Sequence, residues 1–172
     1  MLKFDIRDID LFVFDFDGVL TDNLVQVNQD GKESVSCNRS DGLAFDLLRK
    51  IKKPVYILSS EKNPIVTSRA NKLQIPAIQG VNNKVTVIYD LAKIVDCALE
   101  KICYIGNDLN DYSAMQLCGL RACPVDSHSR IRKISNIKLK TKGGHGVVRE
   151  LLEDSLGLDF VDILYNDHGS GV

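Results

Sequence analysis

Two aspartates, Asp15 and Asp17, directly follow a continuous apolar run at residues 11–14 and are the side chains best suited to chemistry. They flank a single residue at the point where the chain leaves a strand, so both carboxyl groups can turn into one pocket. One carboxylate can attack phosphorus and form an aspartyl phosphate, while the other protonates the leaving oxygen and then activates water. Gly18 gives the backbone freedom to leave the strand sharply. The pattern predicts phosphoryl transfer, with Asp15 as nucleophile and Asp17 as acid and base.

Such a reaction brings an anionic phosphate ester against an anionic nucleophile, and it therefore needs a cation between them. Mg²⁺ prefers oxygen ligands, and we expect Asp15, the backbone carbonyl of Asp17 and a side-chain oxygen after the fourth strand to bind it. Lys84 can hold the phosphoryl oxygens as a point charge. Ser59 can donate a hydrogen bond to the same group.

Short apolar runs alternate with stretches of helical periodicity along the chain, which is typical of a doubly wound parallel sheet. Ligands of such sheets bind at the carboxyl ends of the strands, near the reversal of strand order. We therefore predict an α/β, Rossmann-like fold in one domain over residues 1–172. Strands are predicted at 11–14, 55–58, 75–78, 102–105, 120–123 and, at an edge, 137–139, and helices at 41–53, 63–73, 83–95, 110–117, 127–134 and 147–156.

Two segments stand outside this alternation. Residues 24–36 alternate apolar and polar side chains around Asp30-Gly31, which predicts a β-hairpin inserted after the first strand. The tail at about 166–172, with its sequence His168-Gly169-Ser170-Gly171, is predicted to be disordered.

The composition argues against several classes of protein. A net charge of -1 predicts no nucleic-acid partner and no anionic membrane surface. No stretch reaches the roughly 20 apolar residues that a membrane helix needs. The five cysteines form no Cys-x-x-Cys pair, which favours reduced thiols over a zinc site or a disulfide framework. The charged first ten residues do not resemble a signal peptide, so we expect a cytoplasmic protein.

Four motifs occur in the order that distinguishes a known superfamily. The stretch after the first strand, Asp15-Phe16-Asp17-Gly18-Val19-Leu20-Thr21-Asp22, resembles the first motif of haloacid dehalogenase phosphatases. Ser59 fits their second motif and Lys84 their third. The fourth is matched by Gly106-Asn107-Asp108-Leu109-Asn110-Asp111. The resemblance implies a magnesium-dependent phosphatase with a haloacid dehalogenase-like fold.

A narrower resemblance runs from about Asp10 to Glu150. The segments that carry it are Asn38-Arg39-Ser40-Asp41-Gly42, Gln79-Gly80-Val81 and Gly143-Gly144-His145-Gly146-Val147-Val148-Arg149-Glu150. They are similar to the subfamily that dephosphorylates 3-deoxy-2-keto sugar acids, whose module also forms the C-terminal part of some acylneuraminate cytidylyltransferases. The resemblance implies no separate cap domain and a homotetramer in which the hairpin closes a neighbour's active site.

Members of this subfamily act on 3-deoxy-D-manno-octulosonate 8-phosphate or on nonulosonate (sialic-acid-type) 9-phosphates. Octulosonate phosphatases usually carry arginine where this chain has Glu61, whereas the nonulosonate phosphatases resemble this sequence. Arg69 and Lys72 match positions that meet the sugar acid in that subfamily. We therefore predict a nine-carbon substrate, with the eight-carbon octulosonate 8-phosphate as the alternative.

Two positions depart from the family pattern. Asn107 stands where the fourth motif usually has an aspartate that binds magnesium, so we expect a ligand without negative charge and a lower metal affinity. Asp108 is an alternative metal ligand. Asp111 is predicted to support the metal ligands without binding the metal itself. His145 replaces an arginine or glutamate in the glycine-rich loop and is predicted to lie near the substrate.

Plainer interpretations of the same residues stay open. Side chains that merely cap a helix or face solvent would explain Asp108, Asp111, Glu61, Arg69 and Lys72. For the whole chain, the alternatives to an enzyme are a non-catalytic assembly module, which Asn107 would explain, and a phospho-acceptor signalling domain. The signalling domain has no use for Asp17.

Overall fold

The computed structural model describes residues 4–166, so the predicted disordered tail lies almost entirely outside the described residues. Its strands are β1 (Leu11–Phe14), β2 (Gln26–Val27), β3 (Glu33–Ser34), β4 (Val55–Leu58), β5 (Ala77–Ile78), β6 (Ile102–Ile105), β7 (Leu120–Cys123) and β8 (Ile137–Lys138). Its helices are α1 (Ser40–Lys50), α2 (Ile65–Leu73), α3 (Lys84–Val95), α4 (Tyr112–Leu117), α5 (Ser129–Ile134), α6 (Val147–Glu150) and α7 (Phe160–Tyr165). Within this part of the chain, no helix combines the length and apolar character needed to cross a bilayer.

Six of the strands form one sheet in the order β5-β4-β1-β6-β7-β8, and every neighbouring pair is parallel. The chain runs from β1 outward to β5 and then returns to β6 on the other side of β1. The strand order therefore reverses beside β1, and the crevice for a ligand is expected at the carboxyl ends of β1 and β6. The predicted doubly wound parallel sheet is confirmed.

Helices cover both faces of the sheet, and β1 is buried between them. Phe12 and Phe14 pack in a cluster with α1, α2, α6 and α7, whereas Leu11 and Val13 pack in a cluster with α3, α4 and α5. A strand buried on both faces needs apolar side chains at every position, which explains its unbroken apolar run. Phe14 also meets the Phe45 ring edge-on, with ring centroids 5.2 Å apart. The residue that follows Phe14 is thus attached to a tightly packed strand.

The predicted strands 11–14, 55–58, 102–105 and 120–123 agree with the structure at both ends. The prediction of 147–156 as the last helix is wrong in two respects. It is α-helical only to Glu150 and continues as a π-helical turn at Leu151–Ser155. A further helix, α7, follows and buries Phe160. Sequence periodicity missed α7 because six residues are too few to show a repeated apolar face.

The strands β2 and β3 form a separate antiparallel ribbon after β1, as the alternation around Asp30-Gly31 predicted. Leu24 and Val25, directly before β2, and Val27 within it are exposed to 68%, 51% and 65%. A two-stranded ribbon on its own is marginally stable in water. The exposed apolar side chains therefore mark this ribbon as a surface suited to contact another molecule.

Asp41 lies in the first turn of α1, but its carboxylate bonds to a different helix. Its buried carboxylate accepts hydrogen bonds from the backbone N–H groups of Val148 at 3.0 Å and Arg149 at 3.3 Å. These two groups belong to the first turn of α6, so Asp41 joins two helices distant in sequence. Burial raises the pKa of Asp41 to about 6, although the hydrogen bonds from α6 act in the opposite direction.

This raised pKa predicts a pH-dependent contribution to stability. The folded state holds the Asp41 proton more tightly than the unfolded state, so the contribution is complete below about pH 4 and is lost as pH rises through about 6. Asp41→Asn keeps an acceptor oxygen but cannot ionise. We expect the free energy of unfolding of the wild type, relative to this variant, to fall by about 2 kcal/mol between pH 4 and pH 7.

Denaturant unfolding across that pH range measures the difference. Asp41→Ala, which removes the acceptor as well, should be destabilised at every pH. A difference between wild type and Asp41→Asn that stays constant with pH would contradict the assignment.

Candidate active site

The carboxyl ends of β1, β4 and β6 surround a cavity of about 430 Å³. Its lining residues follow those three strands: Asp15, Asp17, Asn23, Ser59, Ser60, Glu61, Asn107, Asp108, Leu109 and Asn110. The structure thus brings together six residues that the sequence singled out, namely Asp15, Asp17, Ser59, Glu61, Asn107 and Asp108.

The turn after β1 places Asp15 at the base of this cavity. Asp15 is only 4% exposed, and its Oδ1 accepts a hydrogen bond from the backbone N–H of Phe16 at 2.7 Å. Gly18 has a φ of +77°, in the left-handed region. A Cβ atom at Gly18 would lie 1.9 Å from Nδ2 of Asn107. Glycine is therefore required both by the backbone conformation and by the space that the Asn107 side chain occupies.

Thr21 orients the second carboxyl group. Its buried Oγ1 accepts a hydrogen bond from the Gly18 N–H at 3.2 Å and donates to Oδ1 of Asp17 at 3.4 Å. Partial burial raises the pKa of Asp17, the charge of Glu61 adds to this shift, and the Thr21 hydrogen bond opposes it. A raised pKa favours the protonated carboxyl group, which is the form that can donate a proton to a leaving oxygen.

Lys84 is a buried cation held between two carboxylates. It is the first residue of α3, whose N-terminus is capped by the side chain of Asn83. Its Nζ lies 2.9 Å from Oδ1 of Asp15 and 2.7 Å from Oδ1 of Asp111. Burial lowers the pKa of Lys84, but the two carboxylates outweigh burial and raise it. The ammonium group is therefore a fixed positive charge beside Asp15.

Asp111 lies behind the cavity wall and is completely buried. Its Oδ1 accepts hydrogen bonds from Lys84 Nζ at 2.7 Å and from the Tyr104 hydroxyl at 2.8 Å. Its Oδ2 accepts from the backbone N–H groups of Asn107 at 2.9 Å and Asp108 at 3.3 Å. These four donors satisfy a buried carboxylate without help from solvent. Asp111 thereby connects Lys84, at the start of α3, with the backbone that follows β6 through hydrogen bonds.

The charges around Asp15 favour the binding of a further cation in the cavity, because carboxylates outnumber the ammonium group of Lys84. Burial raises the pKa of Asp15 well above its usual value, and the charge of Asp111 adds to the shift, while Lys84 opposes it. One ammonium group faces the two carboxylates of Asp15 and Asp111. A divalent cation at the cavity would stabilise the ionised form of Asp15 that nucleophilic attack requires.

Asn107 offers an oxygen that fits such a cation. It is 7% exposed, and its Oδ1 is buried without a hydrogen-bond partner. An unpaired buried carbonyl oxygen is costly, and oxygen is the ligand that Mg²⁺ prefers. Within residues 4–166, no group of three histidine, cysteine, aspartate or glutamate side chains is placed to hold a metal. A magnesium site here therefore depends on Asn107 and on a backbone carbonyl such as that of Asp17, together with Asp15.

Asp108 has a second role besides lining the cavity. Its carboxylate accepts a hydrogen bond from the Leu109 N–H at 2.7 Å and caps the short 3-10 helix Leu109–Asp111. The side chain is exposed. Metal binding by Asp108 stays a prediction, and the capping role accounts for the aspartate by itself.

The turn after β4 supplies a hydroxyl group and a carboxylate. Oγ of Ser59 is nearly buried and accepts a hydrogen bond from the Glu61 N–H at 3.1 Å, which leaves the hydroxyl proton for a group in the cavity. The Glu61 carboxylate accepts from the N–H groups of Lys62 at 2.6 Å and Asn63 at 2.7 Å. Glu61 is exposed at the mouth of the cavity.

Three predicted substrate contacts do not line the cavity. The Arg69 guanidinium donates to the carbonyl of Asn38 at 2.9 Å, and Lys72 is exposed on α2. Nδ1 of His145 lies 2.6 Å from the carbonyl oxygen of Gly143. Contact of these three side chains with a substrate stays a prediction.

Tyr104 is the residue of this network that sequence reasoning missed. It lies inside the apolar run of β6, where a tyrosine is expected to serve the core. Its four-residue strand is completely buried, so no pattern indicated that the hydroxyl reaches Asp111. Asn23, Ser60, Leu109 and Asn110 also line the cavity, and their adjacency to the motifs was the available signal.

Comparison with known proteins agrees with this geometry. A family model described as haloacid dehalogenase-like hydrolase matches residues 48–151. The 3-deoxy-D-manno-octulosonate 8-phosphate phosphatase of Yersinia pestis is 31% identical over 147 residues, which are 85% of this chain and 79% of that protein.

Two solved structures are similar over most of the chain. A protein from Streptomyces avermitilis, assigned to the HAD hydrolase family, has a TM-score of 0.87 and 36% identity, covering 91% of this chain and 90% of that one. The octulosonate 8-phosphate phosphatase of Moraxella catarrhalis, in complex with magnesium, phosphate and KDO, has a TM-score of 0.82 and 31% identity, covering 87% of this chain and 86% of that one. With its parallel sheet and the four motifs at the strand ends, this chain belongs to the haloacid dehalogenase-like hydrolase family.

Proposed function

We propose that the protein is a Mg²⁺-dependent phosphatase that releases phosphate from a 3-deoxy-2-keto sugar acid phosphate. The observation that carries the proposal is the buried contact of 2.9 Å between Lys84 Nζ and Oδ1 of Asp15, a residue that lines the cavity together with Asp17. A fixed cation beside a carboxylate nucleophile suits the binding of an anionic phosphoryl group. The names of the similar proteins support the same class of substrate.

In the proposed reaction, Lys84 and the Ser59 hydroxyl hold the phosphoryl oxygens in line with Asp15. Asp15, the Asp17 carbonyl and Asn107 would hold Mg²⁺, which would supply positive charge to the phosphoryl oxygens when bound. An oxygen of Asp15 bonds to phosphorus as the ester oxygen leaves, and Asp17 gives that oxygen its proton. Asp17 then takes a proton from water, whose oxygen attacks phosphorus, and inorganic phosphate departs while the Asp15 carboxylate is regenerated.

The similar proteins support an eight-carbon substrate more strongly than the nine-carbon one that the sequence favoured. The curated relatives at 31% identity are octulosonate 8-phosphate phosphatases, and we therefore propose 3-deoxy-D-manno-octulosonate 8-phosphate first. A nonulosonate 9-phosphate remains the second candidate because of one observation. Glu61 lines the cavity, and the family resemblance implies an arginine at this position in octulosonate phosphatases.

Phosphate release from a substrate panel tests the function. With Mg²⁺ present, we expect octulosonate 8-phosphate or a nonulosonate 9-phosphate to be hydrolysed faster than a generic aryl phosphate. Asp15→Asn should lower every rate by at least about 10³-fold because it removes the nucleophile. Asp10→Asn, a change just before β1 and away from the cavity, is the matched control and should retain the wild-type rates.

The panel also separates the alternatives. If the nonulosonate 9-phosphate were hydrolysed faster than octulosonate 8-phosphate, the prediction of a nine-carbon substrate from Glu61 would be supported. If Asp15→Asn retained its activity, the proposed nucleophile would be wrong. If the wild type hydrolysed no ester at all, a non-catalytic assembly module would be the better interpretation.

Magnesium titration tests the metal site. Asn107→Asp exchanges a neutral ligand for an anionic one of the same shape, so we expect Mg²⁺ to bind about tenfold more tightly by calorimetry. Asn110→Asp adds the same charge at the rim of the cavity and is the matched control. An unchanged titration for Asn107→Asp would exclude Asn107 as a ligand, and equal tightening in both variants would indicate a general effect of charge.

We also propose that the protein is a homotetramer in which the β2–β3 ribbon packs against another subunit. The support is the ribbon's exposed apolar residues, Leu24, Val25 and Val27. We expect light scattering to give a tetramer for the wild type and a smaller species for the double variant Leu24→Asp, Val27→Asp, because a charge buried without a partner is costly. Ile94→Asp, at a residue that is 69% exposed on α3, is the control and should remain tetrameric. A monomeric wild type would refute the proposal.

A further inference from the structure

The Tyr104 hydroxyl is a polar group that reaches the candidate site from inside the hydrophobic core. Tyr104 is 0% exposed, and its ring packs in the apolar cluster that lies against α3 and α4. Its hydroxyl lies 2.8 Å from Oδ1 of Asp111. Burial raises the pKa of Tyr104 well above its usual value, and the charge of Asp111 adds to the shift. The hydroxyl therefore stays protonated and is a donor to the carboxylate.

One carboxylate oxygen is thus shared between two donors. Oδ1 of Asp111 accepts from Tyr104 and from Lys84 Nζ, while both bonds to Oδ2 come from the backbone. Lys84 has three protons. Asp111 and Asp15 both lie within hydrogen-bond distance of them, so the two carboxylates compete for the ammonium group. The place of the ammonium group therefore depends on how strongly Asp111 attracts it.

We propose that Tyr104 is a positioning residue that acts through Asp111 to set the place of the Lys84 ammonium group beside Asp15. The hydroxyl satisfies part of the hydrogen-bonding capacity of Asp111 and fixes its carboxylate plane. Without it, Oδ1 of Asp111 has Lys84 as its single donor, and the ammonium group is drawn away from Asp15. The consequence for turnover rests on the proposed phosphatase function.

The chain offers a matched control in Tyr56. Tyr56 on β4 and Tyr104 on β6 are both register partners of Val13 on β1, so they flank the central strand at the same level. Tyr56 packs against the same apolar cluster. It contributes none of the hydrogen bonds to Asp111. A tyrosine-to-phenylalanine change at either site removes one hydroxyl group and keeps the ring.

The first measurement requires no enzymatic activity. In protein labelled with ¹⁵N-lysine, the side-chain ammonium signal of Lys84 is assigned by its loss in Lys84→Arg. We expect Tyr104→Phe to shift this signal and to speed its exchange with water at least about threefold, because a buried hydrogen-bond network is perturbed. Tyr56→Phe should leave the signal in place. An unchanged Lys84 signal in Tyr104→Phe would overturn the proposal.

The second measurement is turnover of the best phosphate ester at saturating Mg²⁺. We expect Tyr104→Phe to lower kcat about tenfold with KM changed less than about threefold, the size of one lost hydrogen bond to a charged group. Tyr56→Phe should stay within about twofold of the wild type. Equal kcat losses in the two variants would show a general effect on the core and refute the positioning role.

The two measurements also separate this inference from the proposed function. If the wild type hydrolyses no ester, the proposed function fails, and the Lys84 signal still decides whether Tyr104 positions the ammonium group. If the wild type is active and Tyr104→Phe matches it in both measurements, the function stands and the inference fails.

Discussion

The buried contact of Lys84 with Asp15 and Asp111 is the interaction on which the rest of the site depends. The two carboxylates and the ammonium group are almost fully removed from solvent. Removing one partner of such a group leaves an uncompensated buried charge, which is strongly destabilising. The same contact joins the loop after β1, the start of α3 and the chain after β6. It therefore places Asp15, the proposed nucleophile, and sets the charge around this carboxylate at the same time.

The loop after β1 is held from several sides. Gly18 leaves room for Asn107, and Thr21 bonds both to the Gly18 backbone and to Asp17. From the far end of the chain, the Gly144 N–H donates to the Val19 carbonyl at 3.0 Å. Asp41 holds the first turn of the helix that follows this glycine-rich segment. The loop after β1 is thus supported by elements that are remote in sequence.

Asn107 gives this site a different charge balance from the one that the family resemblance predicts. With asparagine in place of the usual aspartate, the cavity has one negative charge fewer beside Asp15 and Asp17. We expect this to weaken the attraction for a divalent cation and also to reduce repulsion of the proposed substrate, which carries both a phosphate and a carboxylate. The buried Oδ1 of Asn107 without a partner remains an oxygen suited to a metal. The substitution is therefore compatible with catalysis and with the sugar acid substrates named for its relatives.

The sequence by itself determined the parallel sheet, the hairpin and the positions of the polar residues after the strands. Unbroken apolar runs can be buried on both faces only in a sheet covered by helices, and parallel strands bring their carboxyl ends to one edge. Partners distant in the chain were decided only by the tertiary structure. Asp41 lies at the start of α1 but bonds to Val148, and Tyr104 lies within an apolar run but bonds to Asp111. Hydrogen bonds of this kind depend on how helices and strands pack in space, and no local periodicity records that packing.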